Sequence, residues 1–270
     1  MNFKDAEILI NLSILHNGPP LLIVGNNGIG KTAMIESVVA KYKRAVFIPD
    51  RIDFGGLKQA EGQIKNLKIK TIAISDMQNI LTRKSQIRTS TIGVLSSWIS
   101  EGVGGNELGF NNINLTNKKK KRKNDTINMI IACTPAQAFE MFKYQYYDLL
   151  DRVIIITVNR DKSEFKDEGF RLDYEFSGKM NADVYNKMMG IKVRMNNPRH
   201  TAYFKKIIAG LASMGVEPIE FLERNMNSIN TMELKEGKET NISAWIRSLS
   251  IEEILNIKRI MRDGDVGNNI

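Results

Sequence analysis

The sequence predicts an α/β fold: a five-stranded parallel sheet covered by helices on both faces, in a three-layer αβα core, followed by a small helical lid. Short apolar runs of four to six residues, typical of strands buried on both faces, recur as far as residue 158. Segments with apolar residues at helical spacing separate these runs, and the alternation favours a parallel sheet. Beyond residue 159 the runs stop, and helical spacing alone predicts the lid.

The elements of the core follow one another without long gaps. Apolar residues at helical spacing predict a leading helix over residues 3–16, which the segment Gly18-Pro19-Pro20 ends. The strands are expected at residues 21–24, 45–48, 71–75, 128–133 and 153–158. Helices are expected between them at residues 32–42, 56–67, 87–100 and 135–150.

The remainder of the chain is patterned more weakly. A helix over residues 198–213 places Phe204, Ile207, Ile208 and Leu211 on one face. Ser250 and Glu253 form a capping box that opens a last amphipathic helix. We therefore expect a core over residues 1–159 with a basic insert at 102–126, a helical lid over 160–226, and a polar linker with a C-terminal helix over 227–270.

Composition excludes several classes of protein. The chain of 270 residues has one cysteine, Cys133, and two histidines, which excludes an internal disulfide framework and disfavours a metal-ligand cluster. The longest apolar stretches fall far short of the roughly 20 residues that cross a bilayer. The first residues carry acids early and do not resemble a secretory signal. We expect a cytoplasmic protein with no membrane span.

A glycine-rich loop follows the first predicted strand and opens a helix. Its residues are Gly25, Asn26, Asn27, Gly28, Ile29, Gly30, Lys31 and Thr32. In such a P-loop, backbone N–H groups and a helix N-terminus point at one concave spot, the lysine reaches the terminal phosphates, and the threonine ligates Mg²⁺. The sequence therefore predicts a P-loop fold that binds ATP and Mg²⁺. The alternative is a Gly/Asn hairpin with an ordinary lysine.

Asp76 stands at the carboxyl end of the predicted strand 71–75. An acidic residue there, beside a P-loop strand, holds Mg²⁺ through water. Taken alone, such an aspartate is more often a helix cap or a turn residue. Because it follows the P-loop by one βα unit, we expect the magnesium role.

With these elements in order, residues 1–220 resemble the AAA+ ATPases. The strand that ends at Thr134 is similar to the family's sensor 1, whose polar residue would lie between the P-loop and Asp76 strands and orient the attacking water. Thr134 is also a candidate N-cap for the helix that starts at Pro135. The resemblance implies an oligomeric ring.

Two arginines extend the resemblance. Arg152 lies in a segment similar to the one that carries the arginine finger, which would neutralise charge on the γ-phosphate of a neighbouring subunit. The alternative is a surface arginine paired with Asp148 or Asp151. Arg199 matches sensor 2, in the first turn of the lid helix, from which it would reach the γ-phosphate. The alternative there is a solvent-exposed arginine on an amphipathic helix.

A polar insert points to one branch of the family. Residues 95–102 resemble the helix that precedes the pre-sensor-1 insert of the MoxR-like and minichromosome-maintenance branch. The polar stretch of residues 102–124 occupies the position of that insert, whose loop faces the ring pore in related motors. The net charge is +9, and six positive charges lie in this insert, on Lys118, Lys119, Lys120, Lys121, Arg122 and Lys123. Such a tract would bind nucleic acid in a strongly salt-dependent manner. The alternatives are a solvated loop and a string that only resembles a nuclear-import signal.

One departure from the family concerns hydrolysis. The family places a glutamate directly after the magnesium aspartate, whereas Asp76 is followed by Met77 and then Gln78. Gln78 could orient water, as a glutamine does in some GTPases, but it cannot take a proton. Glu101 is a more remote candidate base, at a position that favours a structural role. Binding of ATP is therefore a firmer prediction than its hydrolysis.

These observations predict an AAA+ ATPase that remodels or moves along a polymer, DNA rather than protein. The alternative is a nucleotide-switched DNA-binding adaptor or loader with little turnover, and a third interpretation is a small-molecule kinase. The C-terminal helix is a candidate site for a protein partner. The compact size and the abundance of Lys, Asn and Ile suit a mobile genetic element or a virus.

Overall fold

The computed structural model describes residues 1–15, 18–48, 54–101, 126–159, 181–193, 195, 197–231 and 241–266. The chain divides into two compact units. The central unit comprises residues 20–153, and the flanking unit comprises residues 1–19 together with 154–270. The basic tract 118–123 lies outside the described residues. This division differs from the predicted core of residues 1–159. The first helix and the fifth strand belong to the flanking unit, together with the helices after residue 159.

The described residues form both helices and strands, which confirms the α/β class. The strands are β1 (Leu21–Val24), β2 (Ala45–Ile48), β3 (Thr71–Ile74), β4 (Asn128–Cys133), β5 (Ile154–Thr157) and β6 (Ile229–Asn230). The helices are α1 (Phe3–Leu15), α2 (Lys31–Val39), α3 (Phe54–Asn66), α4 (Gln78–Leu81), α5 (Ser85–Glu101), α6 (Pro135–Lys143), α7 (Tyr147–Leu150), α8 (Ala182–Met189), α9 (Pro198–Ser213), α10 (Pro218–Asn225), α11 (Asn241–Ser248) and α12 (Ile251–Val266).

The central unit is built on four parallel strands in the order β2-β3-β4-β1. Every side chain of β1, β3 and β4 is buried, which explains why these strands read as continuous apolar runs rather than as alternating ones. β4 lies between β1 and β3, as expected for the strand that ends at Thr134. The carboxyl ends of β1, β3 and β4 therefore meet at one edge of the sheet.

The predicted helix over residues 135–150 is wrong as a single element. It divides into α6 and α7, because Gln145 between them adopts a left-handed backbone conformation with φ 57°. A non-glycine residue at such a φ cannot continue a right-handed helix. The apolar spacing on either side is helical, so the sequence pattern did not reveal the break.

The prediction of five strands is also wrong, since the described residues contain six. β6 pairs antiparallel with β5 in the flanking unit, opposite Ile155 and Ile156. It falls in a segment that the sequence predicts to be a polar linker, and with two residues it offers no period to detect. Ile229 is nevertheless fully buried. The three-layer P-loop arrangement stays a prediction.

In the flanking unit, α1 is tied to α10 by a buried carboxylate. Asp5 accepts hydrogen bonds from Arg224 Nε at 3.0 Å and Nη2 at 2.9 Å, and from Asn225 Nδ2 at 2.8 Å. Such a fork holds both the position and the direction of a helix. Asp5 raises the pKa of Arg224 through the same hydrogen bonds, in spite of partial desolvation.

The remaining helices of the flanking unit enclose a small apolar core. Val184, Met188, Ala209, Ala212 and Ile257 form part of it. All four residues predicted on the inner face of α9 are buried, and the predicted capping box opens α12, with Ser250 and Glu253 each bonding the other's backbone N–H. Helices α8, α10 and α11 were not predicted. None of the described helices is long and apolar enough to cross a membrane.

Candidate phosphate-binding site

The glycine-rich loop connects β1 to α2 and turns sharply at two glycines. Gly28 has φ 75° and Gly30 has φ 92°, both in the left-handed region that side chains disfavour. Gly25 N donates to the carbonyl of Cys133 at 3.1 Å, which ties the start of the loop to the end of β4. The first N–H groups of a helix have no carbonyl partner within it, so the start of α2 beside this loop is a type of site that suits an anion.

Lys31 stands at the start of α2 with its ammonium group folded over the loop. Its Nζ donates to the carbonyls of Gly25 and Asn26, each at 2.7 Å. Burial lowers the pKa of Lys31, while the nearby groups of Cys133 and Asp76 act to raise it. The ammonium is thus held by backbone dipoles at the mouth of the loop, in reach of anything that enters the cavity beside it.

A cavity of about 410 Å³ lies between the loop and the carboxyl ends of β3 and β4. This volume is within the range of small-ligand sites. Its described lining is Asn27, Gly28, Gly30, Lys31, Thr32, Ala33, Glu36, Ser75, Asp76, Cys133, Thr134 and Gln137. The structure therefore brings together seven of the predicted site residues from three separate segments: Asn27, Gly28, Gly30, Lys31, Thr32, Asp76 and Thr134.

Asp76 lies two residues after the end of β3, and one of its side-chain oxygens already accepts hydrogen bonds. Asp76 Oδ1 accepts from the backbone N of Gln78 at 2.8 Å and from Gln137 Nε2 at 2.7 Å. The bond from Gln78 N forms a local turn, and a turn residue was the alternative to the magnesium role for Asp76. The bond reaches the first residue of α4, and Asp76 still lines the cavity, so the turn does not remove the carboxylate from the candidate site.

Gln137 is a site residue that the sequence did not identify. It is 5% exposed and lies in the first turn of α6. Its Oε1 accepts from Thr134 N at 2.9 Å, and its Nε2 donates to Asp76 Oδ1 and, at 2.9 Å, to Gln78 Oε1. The pattern Thr134-x-x-Gln137 is a capping box, which was visible in the sequence; its bond to Asp76 spans 61 residues and was not.

Thr134 performs the capping role that was considered beside sensor 1. Its Oγ1 accepts from Gln137 N at 3.2 Å, and Pro135 occupies the first position of α6. The same side chain lines the cavity. Capping fixes its orientation and does not remove it from the site.

The two residues after Asp76 point in different directions. Met77, at the position where the family resemblance implies a glutamate, is 0% exposed and lies in the core. Gln78 is exposed and does not line the cavity, but its Oε1 is bound by Gln137. A carboxylate at position 77 would lie in apolar packing and not in the cavity. Glu101, the more remote candidate base, is the last residue of α5.

Arg152 adopts the paired arrangement that was the alternative to an arginine finger. Its Nη1 donates to the carbonyl of Asp148 and lies 3.7 Å from the Asp148 carboxylate. The side chain is 21% exposed. It therefore packs against its own turn within one protomer.

Arg199 belongs to the flanking unit, in the first turn of α9 as expected. Asn197 caps this helix, since its Oδ1 accepts from Arg199 N at 2.9 Å. The side chain is half-buried and therefore differs from the solvent-exposed arginine that was the alternative. The six basic residues at 118–123 and the surrounding insert lie outside the described residues.

The donors at the cavity suit Mg²⁺ delivered with a nucleotide. Thr32 and Asp76 offer hard oxygen atoms, and Mg²⁺ commonly takes one or two protein ligands together with phosphates and water. Across the described part of the chain, no group of three or more His, Cys, Asp or Glu residues could hold a metal by itself. Cys133 also lines the cavity, and burial raises the pKa of its thiol to about 12, so the thiol is protonated at neutral pH.

Comparison with known proteins adds no assignment. The chain matches no protein-family model and no curated protein sequence.

Proposed function

We propose that this chain binds Mg-ATP and is an AAA+ ATPase that couples the nucleotide to remodelling of, or movement on, a polymer, DNA rather than protein. The observation that carries the proposal is the cavity in which Lys31, Thr32, Asp76 and Thr134 converge from the loop, β3 and β4. The order β3-β4-β1 supports it, because sensor 1 must lie between the other two strands.

Each residue has a distinct part in binding. The loop's backbone N–H groups and the Lys31 ammonium would hold the β- and γ-phosphates. Thr32 and Asp76 would hold Mg²⁺, which when bound neutralises charge on the phosphate oxygens. Thr134 would contact the water or the γ-phosphate at the far side of the cavity. Arg199 would complete the site from the lid helix, and Arg152 would act on the site of a neighbouring protomer in a ring.

The decisive experiment is phosphate release from ATP, measured with and without single- and double-stranded DNA, for wild type beside Lys31→Ala. A DNA-stimulated release that is lost in the variant would support a motor. If wild type and variant bind ATP with equal affinity, and circular dichroism shows that both are folded, the proposed nucleotide site is overturned. Lys31→Arg is a matched control that keeps the charge but not the ammonium geometry.

A second candidate is a nucleotide-switched DNA-binding adaptor or loader with little turnover. The burial of Met77 favours it, since no carboxylate stands where the family's water-activating glutamate would be. Tight ATP binding and ATP-dependent DNA retention without phosphate release would support this candidate over the motor.

The proposal also includes a cytoplasmic location and a protein partner. The single cysteine suits a reducing cytoplasm. A protein partner could dock on α12, where Ile251 is 78% exposed and Leu255, one turn later, is 60% exposed.

A further inference from the structure

The side chain of Gln137 is held in one orientation by its neighbours. Its carbonyl oxygen can only accept hydrogen bonds, and the donor that faces it is Thr134 N at 2.9 Å. The amide nitrogen can only donate, and it faces two acceptors, Asp76 Oδ1 and Gln78 Oε1. Rotating the amide by 180° would oppose oxygen to oxygen on one side and N–H to N–H on the other. The direction of the amide is therefore fixed.

The consequence for Asp76 is that its two oxygens become different. Oδ1 receives two hydrogen bonds, from Gln137 Nε2 and from the backbone of Gln78. These bonds fix the plane of the carboxylate, and Oδ2 is the oxygen that neither of them uses on a side chain that lines the cavity. Gln78 is affected as well: because its Oε1 accepts from Gln137, its amide NH₂ group is the end that remains to face outward.

We propose that Gln137 is a positioning residue of the Mg-ATP site, which presents Asp76 Oδ2 to the cation and turns the Gln78 amide with its NH₂ outward. This inference rests on the proposed function. Gln137 acts through Asp76 and Gln78 and need not touch the nucleotide itself. Because its Oε1 is bonded to the backbone of Thr134, the buried Gln137 side chain links the sensor 1 position, the magnesium aspartate and Gln78 through hydrogen bonds.

A purely structural role must be distinguished, since Gln137 also completes the capping box of α6. Gln137→Glu separates the two roles. Glutamate serves equally well at the third position of a capping box, so the bond from Thr134 N is kept. A carboxylate cannot donate to Asp76 Oδ1 or to Gln78 Oε1, so the positioning bonds are lost. Gln137→Met has a similar volume and removes all the side-chain bonds.

The test is equilibrium binding of a fluorescent ATP analogue, once with Mg²⁺ and once with EDTA, reported as the ratio of the two affinities. We expect Mg²⁺ to strengthen binding to wild type. In both Gln137→Glu and Gln137→Met this ratio should fall by about 10- to 100-fold, the usual effect of removing a partner that orients a metal ligand. A Gln137→Glu variant with the wild-type ratio would overturn the proposal, even if Gln137→Met fails to fold.

A double substitution tests whether Gln137 acts through Asp76. In an Asp76→Asn background, Gln137→Met should lower the ratio no further, because residues that act as a unit are not additive. Additive losses would overturn the role of Gln137 as positioning Asp76. The proposed function fails separately: it is overturned if wild type binds the analogue no better than Lys31→Ala does, or if Mg²⁺ leaves wild-type affinity unchanged.

Discussion

Met77 stands at the position where the family that the chain resembles places a glutamate, and here the site departs from the family pattern. Its side chain is fully buried below the end of β3, next to a carboxylate that lines the cavity. A side chain at position 77 therefore lies in the core and not in the cavity. Restoring the glutamate should not restore a water-activating base.

Met77→Glu is accordingly expected to destabilise the protein by roughly 3 to 5 kcal/mol, the cost of an uncompensated buried charge, without raising phosphate release. Chemical denaturation measures the first effect, and a phosphate-release assay below the unfolding transition measures the second. Met77→Leu is the matched control and should cost less than about 1.5 kcal/mol. A stable Met77→Glu variant with faster release would show that position 77 can reach the nucleotide.

Cys133 provides a second test at this scale, since it is the only cysteine and lines the cavity. Burial raises the pKa of its thiol from 9.0 to about 12, and only the thiolate is alkylated. At pH 8 we expect alkylation of the native protein to be about a thousandfold slower than in denaturant, because each pKa unit is tenfold in thiolate. The alkylation rate of the native protein should still rise with pH above pH 9, where the alkylation rate of an exposed thiol reaches a plateau. Rapid native alkylation at pH 8 would contradict the burial.

At the scale of elements, the crossing of α1 and α9 depends on a glycine. A Cβ added at Gly210 would lie 2.5 Å from Leu12 Cδ2, and Leu12 is buried. Gly210→Ala should therefore destabilise the protein by about 1–3 kcal/mol, as overpacking does. The cost should shrink in a Leu12→Ala background, where the methyl group has room. Thermal denaturation of the two single variants and the double variant measures this coupling.

Gly93 in α5 is the matched control, since an added Cβ meets nothing within 4 Å there. Gly93→Ala should stabilise the protein by about 0.5–1 kcal/mol, because alanine restricts the unfolded chain and favours helix. Equal effects of the two substitutions would mean that helix propensity, and not the α1–α9 contact, decides the result at position 210.

The arrangement of the strands and helices explains which parts of the site could be predicted from the sequence. Thr134 follows β4 directly, Asp76 lies two residues after β3, and Lys31 opens the helix after the β1 loop, so a local pattern of apolar residues was enough to place them at one edge of a parallel sheet. Gln137 was missed because its partner Asp76 lies 61 residues away, although the capping box that holds it is local. β6 was missed because two residues carry no periodicity, and the break at Gln145 because a positive φ leaves no mark in a hydrophobic pattern.

At the scale of the whole molecule, a finger acting between subunits predicts complementation. Lys31→Ala removes the nucleotide site and Arg152→Ala removes the finger, so each variant alone should release little phosphate. In a mixed ring, an Arg152→Ala protomer with an intact site would meet the intact Arg152 of a Lys31→Ala neighbour, and release should partly recover. Mixing that yields no recovery, with assembly verified by light scattering, would leave Arg152 as a partner of Asp148 within its own protomer.

The basic tract makes a prediction that concerns the whole complex with DNA. Each neutralised phosphate contributes about 0.9 to the slope of log affinity against log salt on duplex DNA. Replacing Lys118, Lys119, Lys120, Lys121, Arg122 and Lys123 with serine should therefore weaken binding and flatten that slope, by up to roughly 5 if all six contact phosphates. An all-arginine tract keeps the charge and should keep the slope. If the serine variant binds as wild type does at every salt concentration, the tract is solvated charge, and the proposal that the polymer is DNA loses its main support.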